Sequence, residues 1–471
     1  MHRRSFLTAA SLGAASLAVP SGMARASGAV PTGMTAAPVA ARMADALTNN
    51  YMVNTKIFYA PTVYGHTAAV MDLLRELGVR IIRERITTGT SIGTRNQLYA
   101  MPRLAAAGCR WHGTVGELED WQNAPAINRE VMQFLTSRYA PQMGGDLTAL
   151  MHSFGGCNEI DGPVIDGECD PQWAAHARTM QQALWQEAKA LSATRNIPVA
   201  GPSTRTDVDR ARASLLGDLS AWSDMGNGHL YNKGTSPTRE IDEHLDILRP
   251  VFPQASRWIM TETGYNNSPQ DNLGNTVPEA ASAIYAVRGI CDFFKRNTIY
   301  GRFVLLDDPD PINYSSQQMI NQTAAREAHF GLVAMTKDTI RESTPDTWRK
   351  KPEFYATKNL LRLLADPGPA FTPSPLTVSV TGGGPDLNQL LLQKRNGKHY
   401  LLLWRDVQVY EKYPLATQIE IEPSRLTVQL GTARPMAIYR PNSQPEPRRT
   451  YSARTSIALN LRGSLKIIEI G

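Results

Sequence analysis

Short apolar runs alternate with amphipathic stretches along most of the chain. The runs with the length of buried strands are KIFYA near residue 56, VRIIRERI near 79, CRWHGTVG near 109, TALMHSFGG near 148, IPVAGPST near 197, GNGHLYN near 226, RWIMTETGY near 257 and RFVLLDD near 302. Between them, stretches such as TAAVMDLLRELG repeat apolar residues at i, i+3 and i+4, which is typical of helices buried on one face. Eight strands alternating with helices predict an α/β fold, a (β/α)8 TIM barrel over residues 51–367.

An open, doubly wound sheet is the alternative fold for alternating strands and helices. Such a sheet often carries a glycine-rich phosphate loop after its first strand. Here the first strand is followed by APTVYGH, which has no such loop. The absence of this loop and the count of eight strands both favour the closed barrel.

The rhythm changes after the proline-rich segment DPGPAFTPSP. Alternating apolar and polar residues follow, and Asn-Gly in RNGK fits a type I′ hairpin turn. We therefore expect a β-sandwich domain over residues 368–471. Residues 27–50 are rich in Gly, Ala, Pro and Met and are predicted to be a linker.

The N-terminus has the features of an export signal. A twin arginine in HRRSFL precedes an apolar, alanine-rich stretch, and Ala24-Arg25-Ala26 offers the small residues that a signal peptidase reads. The pattern predicts a signal peptide of the twin-arginine type over residues 1–26 and a periplasmic or extracellular destination. An ordinary Sec signal or a disordered terminus is the alternative.

Composition narrows the classes of partner. The chain has 471 residues, a net charge of +6, 42% hydrophobic and 20% charged residues, as in ordinary globular proteins. Lys and Arg are scattered along the sequence, so a nucleic-acid partner is not expected. Beyond the N-terminus no apolar run is long enough to span a membrane. The sequence carries no signal for the oligomeric state.

The four cysteines suggest one disulfide bridge and no metal site. Cys157 and Cys169 flank the short segment that begins beside Glu159, and an oxidising destination would permit a bridge between them. Cys109 and Cys291 lie in apolar contexts typical of buried thiols. No CxxC pair or paired histidine spacing indicates zinc, and we expect neither a metal nor a cofactor.

Two glutamates end predicted strands on opposite sides of the barrel. Glu159 follows the fourth strand in FGGCNE, and Glu262 lies at the end of the seventh in RWIMTETGY. Side chains at the carboxyl ends of barrel strands face the active site, so these carboxyl groups should face each other. Hydrolysis of an acetal needs this arrangement, with one carboxylic acid to protonate the leaving oxygen and one carboxylate on the opposite face.

The Asn158-Glu159 pair and the later Glu262 resemble the signature of clan A glycoside hydrolases, the four/seven superfamily. The resemblance covers about residues 50–365, and together with the export signal and the β module it is most similar to family 39. It implies a retaining mechanism on an oligosaccharide or polysaccharide. It also implies that Glu159 is the acid/base, Glu262 the nucleophile, and Asn158 a ligand of the sugar 2-hydroxyl.

The resemblance also suggests neighbours of the nucleophile. His229 and Tyr231, in GHLYN, match an aromatic and polar pair that borders the nucleophile in clan A. Tyr231 either donates a hydrogen bond to Glu262 or packs with its hydroxyl in solvent. Arg83 matches an arginine near the nucleophile, but Arg85 has the same parity on the strand and competes for this role. A structural ion pair is the alternative for Arg83.

Two further positions are candidates for substrate binding. His112, which ends the third strand, could line the sugar subsite or be a satisfied buried histidine. Asp307 and Asp308 end the eighth strand where clan A often has a tryptophan, so the pocket departs from the family there. We interpret this acidic run as a solvated or sugar-binding loop rather than a Ca²⁺ site, because it lacks the spacing of a calcium loop.

Two other functions remain open from the sequence. A non-catalytic carbohydrate-binding protein could be built on the same barrel, although both glutamates are retained in context. A metal-dependent barrel hydrolase would need paired histidines at strand ends, and the sequence does not supply them.

Overall fold

A computed structural model describes residues 37–59, 62–161, 170–268, 276–307, 328–335, 343–411 and 417–471. The predicted signal peptide lies outside these residues, as does the first part of the predicted linker. Residues 36–471 form one compact unit. In the described part of the chain, no helix is both long and apolar enough to cross a membrane.

Eight parallel strands form the barrel, which confirms the predicted fold. In chain order, after two short N-terminal strands (β1, Pro38–Val39, and β2, Arg42–Met43), they are β3 (Tyr51–Asn54), β4 (Ile81–Arg85), β5 (Arg110–Thr114), β6 (Met151–Gly155), β7 (Val199–Ala200), β8 (Gly226–Leu230), β9 (Trp258–Thr263) and β10 (Thr298–Arg302). Hydrogen bonds join them in the order β7-β6-β5-β4-β3-β10-β9-β8. A parallel bridge between Ala200 and Met225 joins the two ends and closes the barrel.

Each barrel strand is followed by a helix. After α1 (Ala44–Thr48), which precedes the barrel, the helices are α2 (Thr67–Leu77), α3 (Ile92–Ala106), α4 (Ala124–Arg138), α5 (Trp173–Ala190), α6 (Arg210–Ser214), α7 (Ile241–Leu248), α8 (Glu279–Lys295) and α9 (Pro352–Leu364). Their apolar faces and the outward side chains of the strands share one large hydrophobic core. This is the burial that the i, i+3, i+4 spacing predicts.

The first and eighth strands begin earlier than the apolar runs suggest. Ile57, in the first run, is fully buried but lies in a turn after β3. The Glu84 carboxylate accepts hydrogen bonds from the backbone of Ile57 and Phe58 and so holds this turn. Val304–Leu306, in the eighth run, are also buried beyond the end of β10. The sequence analysis therefore assigned to strands some apolar residues that lie in buried turns.

The C-terminal region is the predicted β-sandwich, built mainly from six strands. They are β13 (Leu376–Gly382), β14 (Leu387–Gln393), β15 (His399–Arg405), β16 (Ser424–Arg440), β17 (Gln444–Leu461) and β18 (Lys466–Ile470), and they follow two short strands of the barrel region, β11 (Val333–Ala334) and β12 (Arg349–Lys350). The sheet has the order β1-β13-β16-β18-β15-β14-β2, and β17 pairs with β16. The N-terminal strands β1 and β2 thus belong to this sheet. The linker prediction is wrong over residues 38–48, because edge positions of the sheet supply hydrogen-bond partners for this segment.

Strands β15 and β18, and the second half of β14, are buried on both faces. In β15, Leu401 and Leu403 face the core of the sandwich, whereas Tyr400, Leu402 and Trp404 belong to the core shared with the barrel. Because successive side chains of a strand point to opposite faces, a strand between two cores must be apolar throughout. This explains the unbroken YLLLW run and attaches the sandwich to the barrel.

A buried ion pair joins the barrel to its last helix. Arg302 ends β10 and is fully buried; its Nη2 donates to Glu353 Oε2 of α9 at 3.0 Å, and its Nε also donates to Glu353. Removing one member leaves a buried charge without compensation. We expect Glu353→Gln to lower the free energy of unfolding by about 3–5 kcal/mol in urea titrations.

The control for this prediction is Glu279→Gln. It breaks a bridge between Glu279 and Arg349 at 2.7 Å, in which the arginine side chain is 53% exposed. Exposed pairs contribute at most about 1 kcal/mol, so this variant should unfold nearly like the wild type. Equal losses in the two variants would contradict the role given to the buried pair.

Candidate active site

A cavity of about 530 Å³ opens at the carboxyl ends of the barrel strands. Its walls come from loops after β6, β7, β8, β9 and β10. The lining includes both predicted catalytic glutamates, two cations and four aromatic rings, namely Glu159, Glu262, Arg205, Lys233, Tyr231, Tyr265, Phe303 and Phe330. Carboxylates, hydrogen-bonding groups and ring faces in one cavity are what a polar, ring-shaped ligand requires.

Glu262 lies near the end of β9 and is 9% exposed. Arg83 Nη1 donates to its Oε1 at 2.6 Å, and the Tyr231 hydroxyl donates to its Oε2 at 2.8 Å. Burial alone would raise the pKa of this carboxyl. The charges of His229 and Arg83 and the hydrogen bonds from Tyr231 and Arg83 outweigh burial and lower the pKa to about 2. Glu262 is therefore an anion at neutral pH.

Arg83 is held in place by amide side chains on both sides. Its neighbour across the β3–β4 pairing is Asn54, whose Oδ1 accepts from Arg83 Nη1 at 2.7 Å. Its Nη2 donates to Asn158 Oδ1. Arg85, the competing candidate, instead pairs with Glu117 at 2.6 Å and is 43% exposed in its side chain. The structure thus separates the two arginines, and Arg83 is the one that contacts Glu262.

Glu159 lies in the loop after β6 with a backbone φ of 44°. This left-handed conformation is uncommon for residues with a side chain and is sustained only by surrounding contacts. The Glu159 N–H donates to Ser203 Oγ at 3.1 Å, and Arg205 Nε lies 3.8 Å from Glu159 Oε2. The Glu159 side chain is 35% exposed, so this carboxyl is far more accessible to solvent than that of Glu262.

His229 lies between the two carboxyl groups. It is fully buried on β8, and its Nδ1 is 3.1 Å from Glu159 Oε1 and 3.5 Å from Glu262 Oε2. A register shift between Gly228 and His229 brings it opposite Glu262. One ligand atom from each of Glu159, His229 and Glu262 lies within 4.8 Å of the others, a spacing that could also hold a cation. The guanidinium of Arg83 already occupies one oxygen of Glu262 and would repel a metal ion there.

Two predicted substrate ligands lie away from the cavity lining. His112 is fully buried, and its Nδ1 is 2.7 Å from Ser153 Oγ; burial and the charge of Arg83 lower its pKa to about 3. His112 is thus buried, as in the alternative interpretation, but it is not fully satisfied, because its Nε2 has no hydrogen-bond partner among the described residues. Asp307 is 5% exposed and accepts from Lys351 Nζ at 2.9 Å and from the Gly331 N–H at 2.7 Å. Asp307 is therefore part of a buried ion pair, not of a solvated loop, and Asp308 lies outside the described residues.

Cys157 is a buried, free cysteine next to Asn158. Burial raises the pKa of its thiol, which makes the thiol unreactive. Its predicted partner Cys169 lies outside the described residues. The bridge between Cys157 and Cys169 therefore stays a prediction.

Several residues of the site had no motif to identify them. Asn54 and Ser203 support Arg83 and Glu159 from the ends of β3 and β7, while Arg205 and Lys233 line the cavity. The sequence could have identified them only by position, since each is a polar residue at or just after the carboxyl end of a barrel strand. Lys233 adopts a left-handed backbone conformation with a φ of 46°, which its residue type does not favour and the sequence therefore did not predict.

The loop after β8 is held by the C-terminal region. The Ser236 N–H donates to Gln408 Oε1 at 3.0 Å, and Gln408 Nε2 donates to the Gly234 carbonyl at 2.7 Å. The Tyr265 hydroxyl donates to the Thr235 carbonyl at 2.8 Å. Residues 234–236, which directly follow Lys233, are therefore fixed from outside the barrel.

Comparisons with known proteins extend the description of the fold. No protein-family model matches the sequence, and no curated protein is similar to it at a significant level. Solved structures are similar. One is a GH39 enzyme from Xanthomonas axonopodis pv. citri, with a TM-score of 0.56 and 15% sequence identity; the match includes 94% of this chain and 99% of the chain of that enzyme. A monomeric β-xylosidase from Caulobacter crescentus CB15 (TM-score 0.54, 16% identity) covers 93% and 97%.

A third similar structure is a glucosidase from Croceicoccus marinus, with a TM-score of 0.51, 11% identity and coverage of 85% of this chain and 91% of its own. In all three comparisons the likeness covers most of this chain and most of the solved structure, so it extends beyond the barrel. The chain has a GH39-like glycoside hydrolase fold.

The Tyr231 hydrogen bond can be tested on the nucleophile candidate itself. We expect Tyr231→Phe to raise the pKa of Glu262 by about one pH unit, because an anion loses a donor while its burial is unchanged. The measurement is a ¹³C NMR titration of the glutamate carboxyl signals. Tyr265→Phe is the matched control, since this tyrosine also lines the cavity but donates to Thr235. An equal change in both variants would contradict the assignment.

Proposed function

We propose that the protein is a retaining glycoside hydrolase that cleaves O-glycosidic bonds by double displacement. Glu262 is the nucleophile and Glu159 the acid/base. The observation that carries the proposal is the pair itself: a buried, ionised carboxylate and a more exposed carboxyl group face each other across one cavity.

The separation of the two carboxyl groups favours retention over inversion. A carboxyl oxygen of Glu159 and one of Glu262 lie within 4.8 Å of each other. Retaining enzymes place the carboxyl groups about 5–5.5 Å apart, whereas inverting enzymes need about 6.5–9.5 Å to admit a water molecule between carboxylate and sugar. The short separation leaves room for direct attack by Glu262.

The contacts of each glutamate suit its proposed step. In the first step, Glu262 attacks the anomeric carbon and Glu159 gives its proton to the leaving oxygen, so a glycosyl ester forms on Glu262 and an alcohol leaves. In the second step, Glu159 removes a proton from water, which attacks the anomeric carbon and releases Glu262. The hydrogen bonds from Arg83 and Tyr231 keep Glu262 anionic before the first step. They stabilise its carboxylate again when it leaves the sugar in the second step.

The remaining cavity residues support a carbohydrate substrate. Asn158 lines the cavity beside Glu159, where the clan A resemblance assigns the sugar 2-hydroxyl contact. The rings of Phe303 and Phe330 also line it and offer apolar surface to a sugar ring. We propose an oligosaccharide or polysaccharide substrate, encountered after export by the N-terminal signal.

The proposal predicts different effects for the two glutamates. Glu262→Gln should abolish hydrolysis of every substrate, because no carboxylate remains to form the ester. Glu159→Gln should lower kcat/KM by roughly 10²–10⁴ on natural glycans but much less on nitrophenyl glycosides, whose leaving group needs no proton. Azide should restore turnover of a nitrophenyl glycoside by Glu262→Ala. The measurement is a screen of nitrophenyl glycosides and polysaccharides.

Glu117→Gln is the matched control, because Glu117 pairs with Arg85 and does not line the cavity. It should retain activity near that of the wild type. Full activity of both Glu159→Gln and Glu262→Gln would overturn the assignment. Glycan binding without turnover of any substrate by the wild type would favour the non-catalytic carbohydrate-binding protein instead.

A further inference from the structure

A second concavity lies in the C-terminal sheet, and half of the residues that line it are cationic. It has a volume of about 550 Å³ and lies between the two halves of the long β16–β17 hairpin and the start of β18. Its cationic lining residues are Arg425, Arg440, Arg448, Arg449 and Lys466. None of the described residues that line it is acidic. We call this concavity the basic groove.

The folded chain creates this concentration of charge. The basic residues come from three strands, with Arg425 and Lys466 separated by about forty positions in sequence, so the sequence shows them as scattered. Register shifts in β16 after Gln429, Arg434 and Ile438 bend the hairpin. Bulges of this kind increase the local twist and re-aim side chains, which here brings both halves of the hairpin onto one groove.

The charges at the base of the groove lack counterions. Arg440 Nε is buried and has no hydrogen-bond partner in the described structure. Lys466 is 8% exposed and donates to the carbonyl of Asn460 rather than to a carboxylate. Burial and the charge of Arg440 lower the pKa of the Lys466 ammonium to about 8. Burying like charges side by side is costly unless an anion compensates them.

The basic groove continues into a second concavity. This one has a volume of about 330 Å³ and shares Arg440, Asn460 and Lys466 with the first. It adds Arg462 to the cationic lining. The contact of Arg462 with Glu420 is 3.5 Å long, and the side chain of Glu420 is 84% exposed. Two connected concavities give an elongated path, which suits a linear chain better than a single small anion.

We propose that the basic groove binds an acidic polysaccharide whose sugars carry carboxylate groups, at a site separate from the catalytic cavity. Arginine guanidinium groups form strong, paired hydrogen bonds with carboxylates. The Tyr451 ring also lines the groove, and Arg449 and Arg454 lie over its face at 5.2 and 4.6 Å, which orders the Arg449 guanidinium group in the groove wall.

Other polyanions fit the groove less well. Specific DNA interfaces bury about 600–2,500 Å² of protein surface, far more than a narrow concavity of this size offers. Peripheral membrane binding relies on apolar side chains that project outward, whereas here the apolar residues Ile438 and Leu459 are buried in the floor. A glycan chain can enter a groove and present one carboxylate to each cation in turn.

Binding by the groove does not depend on the proposed hydrolysis, and the test keeps the two separate. All measurements use the full chain with Glu262→Gln, which prevents turnover. Isothermal titration calorimetry compares polygalacturonate with fully methyl-esterified polygalacturonate, which has the same backbone without its charge. We expect the acidic polymer to bind at least about tenfold more tightly, and its affinity to fall with added salt.

Arg448 and Arg449 are exposed, so replacing them leaves the sheet packing intact. The double variant Arg448→Gln/Arg449→Gln should bind polygalacturonate at least about tenfold more weakly. The control removes the same charge elsewhere through Arg95→Gln/Arg103→Gln, which replaces exposed residues of α3, and should bind within about twofold of the parent. Equal losses in the two double variants would mean that only net charge matters.

Three results would overturn the proposal. They are equal affinity for the esterified and acidic polymers, unchanged affinity after Arg448→Gln/Arg449→Gln, and tighter binding of duplex DNA than of polygalacturonate at the same ionic strength. None of these results bears on the catalytic pair, because the parent protein already carries Glu262→Gln.

Discussion

Glu262 is a carboxylate buried at the mouth of the barrel, and burial alone would raise its pKa. Its ionised state depends on two donors and the positive charge around it: Arg83 from β4, Tyr231 after β8 and His229 on β8. Arg83 in turn donates to the amide oxygens of Asn54 and Asn158. One buried anion therefore contacts side chains from the ends of several barrel strands, and His229 links it to Glu159.

The C-terminal region takes part in this arrangement rather than forming an independent appendage. Both faces of β15 are buried, one in the sandwich core and one in the core shared with the barrel. Gln408 accepts from the backbone of Ser236 in the loop after β8, three residues beyond Lys233 of the cavity lining. The fully buried Arg288 of α8 donates both to Ser236 and to the carbonyl of Val407 in the C-terminal region. The C-terminal region thus supports a wall of the proposed active-site cavity, while its basic groove is proposed to bind acidic glycans separately.

Much of the fold and the centre of the site could be predicted from the sequence. Periodicity gave eight strands, and strand order placed Glu159 and Glu262 opposite each other, because the ends of parallel strands meet at one end of a barrel. Apolar turns such as the one around Ile57 could not be told from strands by hydropathy. The buried pairing of Asp307 with Lys351 joins residues 44 positions apart, and the basic groove joins three strands. Such distant contacts have no local pattern in a single sequence.

The central claim is that Glu262 attacks the sugar. An activated 2-deoxy-2-fluoroglycoside of a sugar that the enzyme hydrolyses slows release of the glycosyl ester, so that peptide mass spectrometry can locate the label. The account predicts one glycosyl group per chain, attached to the peptide that contains Glu262. A label on another residue, or no covalent adduct together with a product of inverted anomeric configuration, would contradict it.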